Sequence, residues 1–243
     1  CRALCDGPSF PLTSERGVAF TYIFGGLHLA SDVALSGLHV AISDGRTPDI
    51  LVINDAGTPP GEERLHYAWQ GRFRMRLATV GDDWLISVTG GAFLVDADAS
   101  TIRIFGLDGP QGGMLRDIFS RRLLPRLIKL KGAATYHAAS LAIDGQGILL
   151  MGPSGAGKST MAIGLAATGA WDLLGDDMAL LWHDDDDRIA PASANATIWT
   201  ESCVGLGLAD QDCSPLAGYD GKRIFRQNQR GAVESVPLTG IFF

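Results

Sequence analysis

The sequence predicts a smaller β-rich α+β domain over residues 1–112, a helical connector over 113–132, and an α/β domain over 133–243. Three observations carry that prediction. Residues 19–110 read as strands, with apolar and polar residues alternating at Phe73, Met75 and Leu77 and again at Trp84, Ile86 and Val88, and a helical period takes over at 113–131. A strand, a glycine-rich loop and a helix then follow one another between 147 and 168. Each period corresponds to one way of burying an apolar face.

In the N-terminal part, strand candidates fall at 20–29, 38–43, 50–53, 92–96 and 101–105, separated by Gly, Pro and Asp clusters. Phe73, Met75 and Leu77 are answered by Trp84, Ile86 and Val88 across Gly81-Asp82-Asp83, which is a hairpin signal. These strands read as antiparallel. Thr58 to Glu63, with Pro59, Pro60 and Gly61, reads as a loop. In the connector, Leu115, Ile118, Phe119, Leu123, Leu127 and Leu130 form an apolar stripe. Arg116, Arg121, Arg122, Arg126 and Lys129 lie off it, as a solvated face does, and Pro125 should kink this helix or begin a second one. Beyond it come strands at 137–143 and 147–151 and a helix at 158–168 closed by Gly169. A short strand at Leu173-Leu174 and another from Met178 to Trp182 follow. The run Asp184 to Asp187 reads as a solvated turn in preference to a metal site, because adjacent like charges repel.

Composition narrows the function. The chain has 243 residues, 46% hydrophobic and 19% charged, which is enough apolar material for a sizeable core. A formal net charge of -7 argues against nucleic acid as a partner. Its apolar stretches fall short of the roughly 18 residues that span a bilayer, so no membrane partner is expected. Cys1, Cys5, Cys203 and Cys213 lack paired CxxC spacing and read as thiols of a cytoplasmic protein. The first residue is Cys and the last residues, Ile241 to Phe243, sit in an apolar strand-like run, so both ends read as truncated.

The strongest local signal is Gly152-Pro153-Ser154-Gly155-Ala156-Gly157-Lys158-Ser159, a complete match to GxxxxGK[ST], with Thr160 opening the helix behind it. Glycines let backbone N–H groups turn inward around phosphate oxygens, and the helix adds its positive N-terminal dipole. Lys158 should reach the β- and γ-phosphates, and the Ser159 hydroxyl should ligate Mg²⁺. The reading is a site for ATP and Mg²⁺. Asp176 and Asp177 follow 18 and 19 residues after Lys158 at a strand end. Phosphoryl transfer calls for one carboxylate on the metal and another to accept the acceptor's proton, and spacing alone leaves the two roles interchangeable. His137 lies on the strand before the loop strand, which carries it to the same sheet edge.

His137, the loop and the Asp176-Asp177 pair together resemble the catalytic domain of HPr kinase/phosphorylase, over about residues 130–183 and fading through 219–243. The N-terminal run from Tyr22 to Asp32 looks more like the HPr-kinase-like serine kinases, including those associated with lasso-peptide maturation. The resemblance implies an HPr-kinase-like fold and transfer of phosphate to a serine hydroxyl of a peptide or protein. It implies that Lys158 grips phosphate, that Ser159 and Asp176 serve Mg²⁺, and that Asp177 is the general base with His137 beside it. No counterpart of the family's Arg-Pro-Gly-Arg-Asn-like segment follows the Asp pair; Gly221 to Arg230 stands there, with Arg223, Arg226 and Arg230. A small-molecule kinase and a nucleotide-gated binding module are the rival readings, and a homo-oligomer stays open.

Overall fold

The computed structural model describes residues 18–42, 45–71, 74–183, 186–193, 195–216, 220–227 and 234–243. Within the apolar run at 20–29, Gly25 and Gly26 both take positive φ, 63° and 79°. Such a two-residue turn suits the right-handed twist of paired strands. The run therefore folds back as β1 (Phe20–Phe24) and β2 (Leu27–Ser31), two strands where one was expected. Then come β3 (His39–Val40), β4 (Ile50–Asp55), β5 (Arg64–Gln70), β6 (Arg74–Val80), β7 (Asp83–Val88), β8 (Gly91–Val95) and β9 (Thr101–Phe105). They form a nine-stranded sheet in the order β3-β1-β2-β4-β9-β8-β7-β6-β5. The expected hairpin is present as β6 and β7, with Met75 opposite Val88 and Leu77 opposite Ile86; Phe73 lies outside the described residues. The antiparallel reading needs correction, because β2–β4 and β4–β9 pair in parallel. Their connections are long enough to cross over instead of turning back.

The connector comprises α1 (Gly112–Ile118), a π-helical turn (Phe119–Leu123) and α2 (Leu124–Leu130). Pro125 explains the wide turn. It has no N–H, and its ring crowds the carbonyl four residues earlier, so the ladder shifts and the Leu124 N–H reaches back five residues to Phe119 O. The extra residue also rotates the buried stripe. Leu124, Leu127 and Ile128 are buried, whereas Leu130, expected on the stripe, is exposed. Phe119 stacks on Phe93 of the first sheet at 6.2 Å between ring centroids, which fixes the turn in place.

The remainder contains β10 (Ala134–Tyr136), β11 (Ala139–Ile143), β12 (Gln146–Leu150), α3 (Lys158–Ala167), β13 (Asp172–Gly175), β14 (Ala179–His183) and β15 (Asp187–Ala190). It ends with β16 (Asn195–Trp199), α4 (Thr200–Gly205), β17 (Cys213–Pro215), β18 (Lys222–Arg226) and β19 (Val236–Phe242). A seven-stranded sheet runs β10-β14-β15-β19-β12-β11-β13, and a small one runs β16-β18-β17. Only β12 and β19 are parallel neighbours among the described pairs of the larger sheet. The described residues are thus mostly β-sheet with few helices, and within this half the expected strand–loop–helix unit is present as β12 and α3. His137 is displaced from expectation: it sits in the bend between β10 and β11, not on a strand.

Both halves share one core. Leu180, Ala190 and Ala192 are buried in the same cluster as Phe24, Ile50, Phe93 and Leu124. The Gly25 N–H donates to Pro191 O at 2.6 Å, and Trp182 Nε1 donates to Gly25 O at 2.7 Å. In the acidic run, His183 Nδ1 meets Asp187 Oδ1 at 2.5 Å; Asp184 and Asp185 lie outside the described residues. Cys203 and Cys213 are buried free thiols, and burial together with the Cys203 thiol pushes Cys213 up to about 12. Cys1, Cys5 and Arg230 lie outside the described residues. Among those described, no helix is long and apolar enough to cross a membrane.

Candidate active site at the phosphate loop

The loop begins where β12 ends, held by the Met151 N–H donating to Phe242 O of the parallel neighbour at 2.8 Å. Gly155 and Gly157 have φ of 84° and 87°, yet a Cβ at either would meet nothing within 4 Å. Backbone conformation, not lack of space, requires glycine there. Lys158 is the first residue of α3. Its Nζ donates to Gly152 O at 2.9 Å and Pro153 O at 3.0 Å, so the ammonium closes the loop on itself. Those carbonyls occupy the donors that phosphate oxygens would take.

Ser159 Oγ donates to Asp176 Oδ1 at 2.7 Å, and the Thr197 N–H donates to Asp176 Oδ2 at 2.9 Å. Burial pushes the Asp176 carboxyl up, as does the neighbouring Asp177 charge, while the hydrogen bonds from Ser159 and Thr197 oppose the rise. Asp177 has φ of 64°, a left-handed conformation that Asp tolerates better than most residues. Its carboxylate is half exposed, and Oδ2 accepts from Arg121 Nη2 at 3.2 Å. Arg121 Nη1 also meets Asp117 at 3.4 Å. His137 Nδ1 lies 3.0 Å from the Asp177 carbonyl oxygen. A carbonyl can only accept, so Nδ1 carries the proton in this contact. His137 therefore steadies the backbone of Asp177 through its carbonyl.

A cavity of about 790 Å³ gathers these groups. His137, Ser154, Gly155, Ala156, Gly157, Lys158, Ser159, Thr160, Asp176 and Asp177 all line it, while Gly152 and Pro153 contribute through the carbonyls that hold Lys158. Sequence reasoning missed Arg121, Thr197, Trp199 and Lys222. Arg121 passed for part of a solvated face, and the others belong to strands without a local motif. Of the C-terminal arginines, Arg223 is committed to Asp210 and to Cys213 O, whereas Arg226 lines a small neighbouring cavity.

The donors fit a hard divalent cation. Mg²⁺ beside phosphates takes one or two protein oxygens and completes its shell with water and phosphate oxygen. Ser159 Oγ and Asp176 offer such a pair, although no group of three His, Cys, Asp or Glu side chains suits a metal among the described residues. A carboxyl raised by burial stabilises the fold below its unfolded pKa, and that contribution is lost as pH rises through the raised folded value. At neutral pH the Asp176 charge therefore costs stability. Asp176→Asn is expected to raise Tm by a few degrees at most, since ~1 kcal/mol moves Tm by about 2–4 °C at this size. Calorimetry at pH 7 and at pH 4 should show the gain shrinking on acidification; a lower Tm at pH 7 would contradict the assignment.

The family described as SynChlorMet cassette protein ScmC matches residues 120–202, about a third of the chain, and that stretch includes Arg121, His137, the loop and the Asp pair. No curated protein matches the chain in sequence. Solved structures similar to it include that of the Hpr(Ser) kinase/phosphatase from Coxiella burnetii, at 19% identity and a TM-score of 0.28. That match covers 44% of this chain, which spans 63% of the other's length.

Proposed function

We propose that this protein is an ATP-dependent, HPr-kinase-like serine kinase, transferring the γ-phosphoryl group of ATP to a serine hydroxyl of a peptide or protein. One observation carries the reading: Ser159 Oγ bonds Asp176 at 2.7 Å while Asp177 lines the same cavity as the phosphate loop. In this reading residues 133–243 form the phosphate-loop kinase domain, the β-rich domain and connector precede it, and the protein is cytoplasmic. Loop N–H groups and Lys158 bind the phosphates, Lys158 exchanging two carbonyls for phosphate oxygens. Ser159 and Asp176 hold Mg²⁺, which when bound offsets charge on the β- and γ-phosphates. Asp177 accepts the proton from the acceptor Oγ as the new O–P bond forms and the bond to ADP breaks. His137 holds Asp177 in place through its carbonyl.

Incubation with γ-labelled ATP, Mg²⁺ and serine-containing peptides is expected to yield phosphoserine, and excess chelator is expected to abolish it. Transfer at full rate in chelator would refute the metal assignment. Label on small hydroxyl compounds but on no peptide would make it a small-molecule kinase. The Arg121–Asp177 pair favours a second reading, in which ATP gates partner affinity without transfer, because the connector already occupies the carboxylate.

A further inference from the structure

We propose that the end of the cavity walled by Trp199 and Lys222 is the subsite for the purine base of the nucleotide, an inference that rests on the kinase reading above. β16 and β18 pair antiparallel, with Asn195 opposite Arg226, Thr197 opposite Ile224 and Trp199 opposite Lys222. Opposed residues share a face and alternate residues return to it, so these three pairs form one strip. Ala196 and Phe225 point the other way, into the core beneath α3, and Ile198 is buried in that core while also bordering the cavity.

The strip has a direction. At its centre the Thr197 N–H holds Asp176. At one end, Asn195 and Arg226 share a cavity of about 80 Å³ with Arg121, and Arg121 holds Asp177. Four residues along, roughly 13 Å at strand spacing, Trp199 and Lys222 form the other end. Attacking and leaving oxygens lie in line through the transferred phosphoryl group. An acceptor activated at Asp177 therefore sends the ADP moiety away from that end, toward Trp199.

Chemistry at that end suits a base. Trp199 leaves 54% of its surface exposed, unusual for so large an apolar side chain. Lys222 Nζ stands 4.9 Å from the Trp199 ring centroid, and Ser202 adds a hydroxyl to the wall. The Lys222 ammonium covers one face of the indole, so a base would stack on the ring surface that remains exposed, with the Ser202 hydroxyl as a polar partner at its edge, an arrangement that matches a purine. The competing location is a groove of about 430 Å³ beside the loop, between Met161, Trp171 and Phe242. Its lining side chains are apolar apart from Lys158, which the loop carbonyls hold, and the indole N–H of Trp171, so it offers ring nitrogens fewer partners.

The test compares Mg²⁺-ATP with Mg²⁺-tripolyphosphate by calorimetry on the full chain. Wild type should bind ATP the tighter of the two. Trp199→Ala should lose ATP affinity by roughly 5- to 150-fold, the range that base–aromatic stacking supplies, with tripolyphosphate affinity unchanged. Trp199→Phe, which keeps a ring, should retain most of the ATP preference and shows that truncation has not simply unfolded the site. If Trp199→Ala keeps the preference, or Trp171→Ala removes it instead, the subsite is overturned and the phosphate loop stands. If wild type binds neither ligand, the kinase reading falls and the base subsite with it.

Discussion

Asp177→Asn is expected to lower phosphoryl transfer by on the order of 10²–10⁴-fold, the usual cost of losing a general base, while ATP stays bound. Asn keeps the size and an acceptor oxygen but takes no proton from an attacking serine. It also tolerates the left-handed φ of 64° at this position, so the backbone that His137 holds should persist. The checking measurement is the rate of transfer to an identified acceptor at saturating ATP, with nucleotide affinity measured in parallel. Wild-type turnover in the variant would remove Asp177 from the chemistry and leave the nucleotide gate as the better reading. Equal loss of Mg²⁺ dependence in Asp176→Asn and Asp177→Asn would instead dissolve the division of roles.

Lys158→Ala is expected to weaken Mg²⁺-ATP binding by roughly 10-fold or more, because the ammonium trades two neutral carbonyls for charged phosphate oxygens, and hydrogen bonds between ions are about twice as strong as those they replace. The fold should survive. Lys158 begins α3, Ala is a good helix former there, and its Nζ contacts are with the loop's own carbonyls, not with the core. Isothermal calorimetry with Mg²⁺ present decides it, and unchanged affinity would refute the phosphate-loop assignment outright.

The local features were the most legible in the sequence. The strand, loop and α3 announce themselves because each fixed residue answers a short-range demand, whether a positive φ at Gly155 and Gly157 or a helix start at Lys158. The β6–β7 hairpin is legible for the same reason. Strand β5 went unread although Leu65, Tyr67 and Trp69 alternate in it; all seven of its residues are exposed, so the strand buries no face by which to judge it. Gly25-Gly26 carried a usable hairpin signal that the surrounding apolar run obscured. Parallel pairing of β2, β4 and β9 has no local signature, because it depends on which distant strands meet. Arg121 belongs to that class. Its spacing marks a surface residue, and the π turn caused by Pro125 lies within the segment that brings it to Asp177, 56 residues away.

The bonds from Gly25 to Pro191 and from Trp182 to Gly25 have a consequence for the order of assembly. The hairpin turn at Gly25 leaves the ribosome more than 150 residues before the strands that cover it. Until Leu180, Ala190 and Ala192 arrive, the apolar face around Phe24 and Phe93 lacks part of its lid. Contacts of such long sequence separation carry a large loop-closure entropy and form late. The nascent first sheet is thus the stage at which this chain is most exposed to aggregation and to chaperones, and its completion coincides with construction of the Asp176-Asp177 turn that β13 and β14 enclose.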